Sequence, residues 1–233
     1  MKTWTLAAAA AAALALAACT QPAEAPQAAA QATPVNVPTG AYALDPHHTT
    51  ITARVKHFGL SNYVLRLNGV TGTLNFNAED PTQSSIEATV AMNTLDTPYA
   101  GDRDFDAELQ NSEWLDALTF PTATFRSTSA ERTGPNTGRL TGDLTIKGVT
   151  HPVTFDVTYN ASHAQHPMGF PMQMIGFSAR TTILRSQFGF NTVLPESAPG
   201  AGDGVADQIE LLIDAEFTRA IDSNAGAPAE PVD

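Results

Sequence analysis

The chain has 233 residues, with 24 acidic side chains against 12 basic ones and a formal charge of −12. This balance excludes nucleic acid as an expected partner, because binding to phosphate backbones relies on clustered Lys and Arg and no basic run occurs. A single cysteine, Cys19, excludes an internal disulfide, and the length suits one all-β domain.

In chain order, Lys2 precedes an apolar run over 4–18 that is too short to span a bilayer and is laid out as an export signal. The run ends in Leu16-Ala17-Ala18-Cys19, which resembles the lipobox of bacterial lipoproteins, where the cysteine is lipidated and becomes the mature N-terminus. The expected organisation is a signal peptide over 1–18, lipidated Cys19 leading an Ala/Pro/Gln-rich tether over 19–40, a β domain over 41–220 and a disordered tail over 221–233. About twenty flexible residues reach roughly 25 Å, enough to hold a domain clear of a membrane. Thr20, rather than an Asp of the inner-membrane retention type, follows the cysteine. Attachment to the outer membrane on its periplasmic side is therefore expected.

Strand patterns then recur at short intervals. Ile51, Ala53 and Val55 alternate with Thr52, Arg54 and Lys56. Over 64–76 the apolar parity changes between Leu65/Leu67 and Val70/Leu74/Phe76, which a bulge at Asn68-Gly69 would reconcile. Ile86, Ala88, Val90 and Met92 share one face, as do Ala123 and Phe125. Two short helices are expected within 101–118, the second opening at Ser112 as N-cap and closing before Pro121.

The clearest pattern is 138–159. Leu140, Leu144 and Ile146 lie on one side of the first run and Val153, Phe155, Val157 and Tyr159 on one side of the second, with Gly148 at the bend and Pro152 opening the returning strand. Alternation over 175–183 and 208–217 brings the total to seven or eight antiparallel strands, with a Gly/Pro-rich loop over 195–204 before the last.

Catalytic patterns are sparse. Gly176-Phe177-Ser178-Ala179-Arg180 lacks the second glycine of a nucleophile elbow and lies in a strand pattern. His47 and His48 are adjacent, so a strand would point them to opposite faces, and His163 and His166 read as surface histidines. The acidic loop around Asp203 and Asp207 has too few ligands for a calcium loop and reads as a solvated turn. No catalytic site, resident metal or cofactor is expected. Eight strands give an interior that either fills with side chains or holds one small ligand, and composition does not choose between a carrier and a ligand-free structural module.

Five motifs in order resemble the YceI-like family of bacterial exported lipid-binding proteins. They are Tyr42-Ala43-Leu44-Asp45-Pro46-His47-His48, Lys56-His57-Phe58-Gly59, Phe120-Pro121-Thr122-Ala123-Thr124-Phe125, Gly142-Asp143-Leu144-Thr145-Ile146-Lys147-Gly148-Val149-Thr150 with Pro152-Val153, and Arg185-Ser186-Gln187-Phe188-Gly189. The resemblance implies a lipocalin-like antiparallel β-barrel of about eight strands with one or two short helices. It also implies that an apolar channel holds an amphiphile such as a polyisoprenoid, an isoprenoid quinone or a fatty amide, without turnover. The sequence does not give the oligomeric state; an oligomer, if one forms, is expected to be a dimer. On this resemblance the lining is expected to include Val55, Met92, Leu109, Trp114, Phe125, Phe155, Phe177, Ile183 and Phe188, with His57 and Arg185 near the head group. The chain departs from the family in lacking the histidine of an Arg-Asp-x-His-Leu helix around Arg103-Asp104 and Glu108-Leu109, in Gln187 for a frequent Asp, and in His151 for Lys or Arg.

Overall fold

The alternating runs are realised as β-strands in a computed structural model, which describes residues 31–195 and 204–221. The export signal, Cys19, the tether up to residue 30, residues 196–203 of the expected loop and the tail from residue 222 lie outside the described residues. The strands are β1 (Gly40–Leu44), β2 (Thr50–His57), β3 (Ser61–Leu67), β4 (Val70–Phe76), β5 (Ser85–Ala91), β6 (Leu95–Asp96), β7 (Thr122–Arg132), β8 (Thr137–Ile146), β9 (Val149–His163), β10 (Met172–Leu184) and β11 (Val205–Ala220), with one α-helix, α1 (Phe105–Gln110).

All pairings are antiparallel, and β1 meets β11 to close the sheet on itself. Although eleven strands are described, the wall has eight positions. β1 and β2 both pair with β11, over Leu44↔Phe217 and Val55↔Ile209 respectively, so they occupy one position in succession. β3 and β4 share the next position, and β5 and β6 the one after, paired with β4 and β3. The result is a closed, eight-stranded antiparallel barrel, as the strand count anticipates, in which, among the described residues, the two-residue β6 pairs on one side only.

Local chemistry explains where the chain departs from the sequence expectations. The parity change in 64–76 is made by a break between two strands rather than a bulge: the Gly69 N–H donates to Thr94 Oγ1 (2.8 Å) and its carbonyl accepts from the Ala91 N–H (2.8 Å). The second expected helix, from Ser112, does not form. Asn111 caps the end of α1, its Oδ1 accepts from the Glu113 N–H (2.8 Å), and Asp116 adopts a φ of 49°. A local side-chain turn of this kind competes with helix propagation. β1 escapes a periodicity search because alanines occupy its other positions, yet Tyr42 is wholly buried.

The β8–β9 hairpin turns through Lys147 and Gly148, both at positive φ (51° and 74°), the geometry of a two-residue turn whose twist matches its strands. Pro152 lies within β9, opposite Asp143. Counting from the closing Ile146–Val149 pair, its missing N–H would point away from β8, and β10 pairs with β9 only from Asp156 onward, so no ladder bond is lost.

The last part of the expected tether belongs to the folded domain. Residues 31–39 run across one end of the barrel, where Thr33 and Asn136 exchange two hydrogen bonds (2.7 and 2.8 Å), the Asn36 N–H donates to Ser162 Oγ (2.7 Å) and the Tyr159 hydroxyl donates to the Pro34 carbonyl (2.7 Å). Val37 is buried with Tyr42, Phe76 and Ile175, and that burial holds the segment in place.

Candidate functional site

Inward-pointing residues of nearly every wall position border a cavity of about 430 Å³, within the usual range for small-molecule sites. Its wall is apolar: Leu74 and Ile86 face each other across β4 and β5, Phe125 and Leu144 across β7 and β8, Phe177 and Ala215 across β10 and β11. The aromatic rings pack edge to face or tilted, Phe125 on Phe155 at 5.2 Å and Phe177 on Tyr159 at 5.8 Å and Phe217 at 6.2 Å. The space exists because Ala88, Ala123, Ala179 and Ala215 occupy inward positions where larger side chains would meet across the barrel.

The two ends of the barrel differ. One end is filled: Phe188 and Phe190 pack with Leu144, Val153, Phe155 and Ile183, and Leu115 and Ile146 lie against them. The other end is the mouth, bordered by Ala32, Thr33 and Val35 of the crossing segment, by 81–86, and by the β7–β8 hairpin. The charged residues that line the cavity, Glu79, Glu131, Arg132 and Arg139, all belong to this rim. Arg132 donates to the Gly134 and Pro135 carbonyls (3.0 and 2.9 Å), stiffening the hairpin tip.

The residues expected at the site divide between these two ends. Met92, Phe125, Phe155 and Phe177 line the cavity. Ile183 and Phe188 are buried in the cluster that fills the opposite end, Phe155 serving both. Leu109 is buried on α1. Trp114 lies in the turns after α1, its carbonyl accepting from Lys147 Nζ (2.8 Å), and Val55 sits in β2 between Tyr63 and Ile209. None of the last five is among the lining residues.

The two expected head-group contacts are also away from the mouth. His57 is exposed at the end of β2, edge-on to Phe58 at 4.5 Å. Arg185, only 3% exposed, lies in a 3-10 turn (Arg185–Phe188), and its guanidinium donates to the backbone carbonyls of Phe190, Thr192, Val205 and Ala206 at 2.8–2.9 Å. Asp207, expected in a solvated turn, accepts from the Ser186 N–H and hydroxyl (both 2.8 Å) and so fixes the same turn. His151 Nε2 meets the Gln187 carbonyl at 3.1 Å, and its ring stands edge-on to Phe188 at 5.2 Å. Where the family has a histidine-bearing helix, Asp104 caps α1 through the Ala107 N–H (2.9 Å) and Arg103 pairs with Glu108.

The sequence reading marks the inward faces but not the void between them. The signal was available as the alanines at inward parity, on strands whose other inward residues are large. On the outer surface, Asp45, His48 and Glu216 bring their donor atoms within 4.8 Å of one another. There His48 Nδ1 and Asp45 Oδ2 bond at 2.9 Å. Burial pushes the Asp45 carboxyl up, but bonds from His48 and the His47 N–H outweigh it and hold the carboxyl below its ordinary value. The same contact with Asp45 holds His48 above its own.

Comparison with known proteins gives the barrel relatives. A family model described as YceI-like domain matches residues 42–217. The chain is 31% identical to Protein YceI of Salmonella arizonae over 87 residues, 37% of this chain, and this match spans less than half of that protein's length (44%). Among solved structures, BcnA of Burkholderia cenocepacia superposes with a TM-score of 0.59 at 25% identity, covering 74% of this chain and 98% of BcnA. A polyisoprenoid binding domain from Saccharophagus degradans shares the fold, with a TM-score of 0.54 at 10% identity over 76% of this chain and 97% of that domain.

Proposed function

The chain belongs to the YceI-like family, and from that premise we propose that it is a non-catalytic carrier or store of a long-chain isoprenoid or similar amphiphilic lipid in the bacterial cell envelope. The observation that carries this reading is a cavity whose walls are predominantly apolar and whose charged residues are confined to the rim. Such a site suits a molecule with an apolar tail and one polar end. Enclosing ten methylene groups contributes about 8 kcal/mol gross, on the scale of micromolar affinity before ordering costs. The tail lies among Phe125, Phe155 and Phe177, and the head group sits at the mouth near Arg132 and Arg139. His57 and Arg185, at the filled end, serve the fold. The polyisoprenoid-binding character of the Saccharophagus domain, a barrel of the same fold, is in keeping with this ligand class.

The export signal and the lipobox-like Leu16-Ala17-Ala18-Cys19 support a lipoprotein held on the periplasmic face of the outer membrane through Cys19. Native mass spectrometry of the gently purified protein tests the reading. A co-purifying apolar mass is expected, and it should disappear in an Ala88→Phe/Ala179→Phe variant that fills the cavity while keeping the β circular-dichroism spectrum. Repeated ligand-free preparations of the unmodified chain would count against a carrier and favour a structural module.

A further inference from the structure

The barrel end that carries the mouth also presents large apolar side chains to solvent. The β9–β10 connection, 164–171, is fixed by its own bonds: the His166 N–H donates to the Met172 carbonyl (2.8 Å), the Gly169 N–H to that of His166 (2.8 Å) and the Ile221 N–H to that of Pro171 (2.9 Å). His166 and Phe170 pack edge to face at 4.9 Å. Held in this way, the loop leaves Met168 78% and Phe170 51% exposed. β9 continues to His163, past Thr158, which faces Thr137 in the last pair with β8, so the loop reaches beyond the hairpin that borders the mouth. Two neighbouring large apolar side chains on an ordered tip mark an interaction surface more strongly than scattered single ones do.

We propose that this end is a membrane-docking face, in which Met168 and Phe170 enter the interfacial layer of the bilayer and bring the cavity mouth against lipid. The proposal rests on the carrier reading and says where a ligand enters and leaves. What selects a bilayer is the path of the chain. Thr33 and Pro34 are pinned at the mouth, and Cys19 lies twelve residues before Gln31. Twelve residues span at most about 40 Å when fully extended, so an acyl group on Cys19 keeps the membrane within that distance of this end. The rim mixes Glu79 and Glu131 with Arg132 and Arg139, which fits a zwitterionic lipid surface rather than a polyanion. The opposite end exposes Leu60 and Leu118, but there Phe188 and Phe190 fill the interior.

In the test, the lipidated full chain is reconstituted in phosphatidylethanolamine/phosphatidylcholine vesicles, with an environment-sensitive thiol dye on Met168→Cys or, as the comparison, on Leu118→Cys. A blue shift at 168 and none at 118 is expected. Equal emission at the two sites, a shift at 118 alone, or recovery of the chain without an acyl group on Cys19 overturns the proposal. A shift at 168 that needs no vesicles and grows with protein concentration identifies a second copy as the occupant and also overturns it. Met168→Asp/Phe170→Asp is further expected to slow transfer of a pyrene-labelled farnesol from vesicles to protein roughly tenfold, with the amount held at equilibrium unchanged; an unchanged rate counts against docking. The dye measurement needs no bound ligand, so a shift at 168 upholds docking even where the farnesol probe is refused, which would count against the carrier reading instead.

Discussion

Arg185 shows how a buried polar residue can be central to a structure by gathering backbone carbonyls. Its guanidinium gathers carbonyls from 190–192 and from the start of β11, joining two pieces of chain that have no sheet pairing between them. Replacing it with Ala leaves those carbonyls without their donor, and Arg185→Ala is expected to lower stability by about 3 kcal/mol in urea unfolding. Arg185→Lys should recover only part of this, because an ammonium cannot span the same acceptors. Loss of bound lipid at unchanged stability would instead assign the residue to the ligand. Nothing in the sequence pattern foretells this role, since the partners are backbone atoms of segments that show no periodicity. The inward parity of Phe125, Phe155 and Phe177 was legible by contrast, because alternation is a property of the strand itself.

At the scale of elements, the strands that read most clearly are those that run unbroken. The β8–β9 hairpin could be read because its apolar alternation and its turn glycine agree on one register. Gly148 also sits where a Cβ would come within 2.8 Å of the Phe120 ring. Gly148→Ala is therefore expected to cost about 1–2 kcal/mol from the left-handed backbone alone, with the ring contact adding to it, measured as a lower midpoint of chemical unfolding. The interrupted positions were harder to read. β1 is five residues and β6 only two, too short for a period to declare itself, and their place in the wall is set by partners distant in sequence. The absent second helix follows the same logic, because the side chain of Asn111 turned the chain where propensity alone would have continued it.

For the whole molecule, a filled end and a hollow end within one barrel separate two demands. Phe188, Phe190 and Ile183 supply a core packed at the end away from the mouth, and a ligand in the cavity would add to stability by mass action. Protein stripped of lipid by organic extraction and refolded is expected to melt about 5–10 °C below the as-purified form, with identical far-ultraviolet circular dichroism. Equal melting temperatures would mean that the cavity is normally unoccupied. The closure of the wall carries a further consequence, one of timing. β11 is the partner of both β1 and β2 as well as of β10, so the first strands to leave the ribosome are completed by the last. Until Val205 and the residues after it have emerged, three strands have unpaired edges, and in that interval each is open to pairing with another chain. The barrel can therefore close only once its C-terminal strand is free of the ribosome and of any channel through which the chain is threaded.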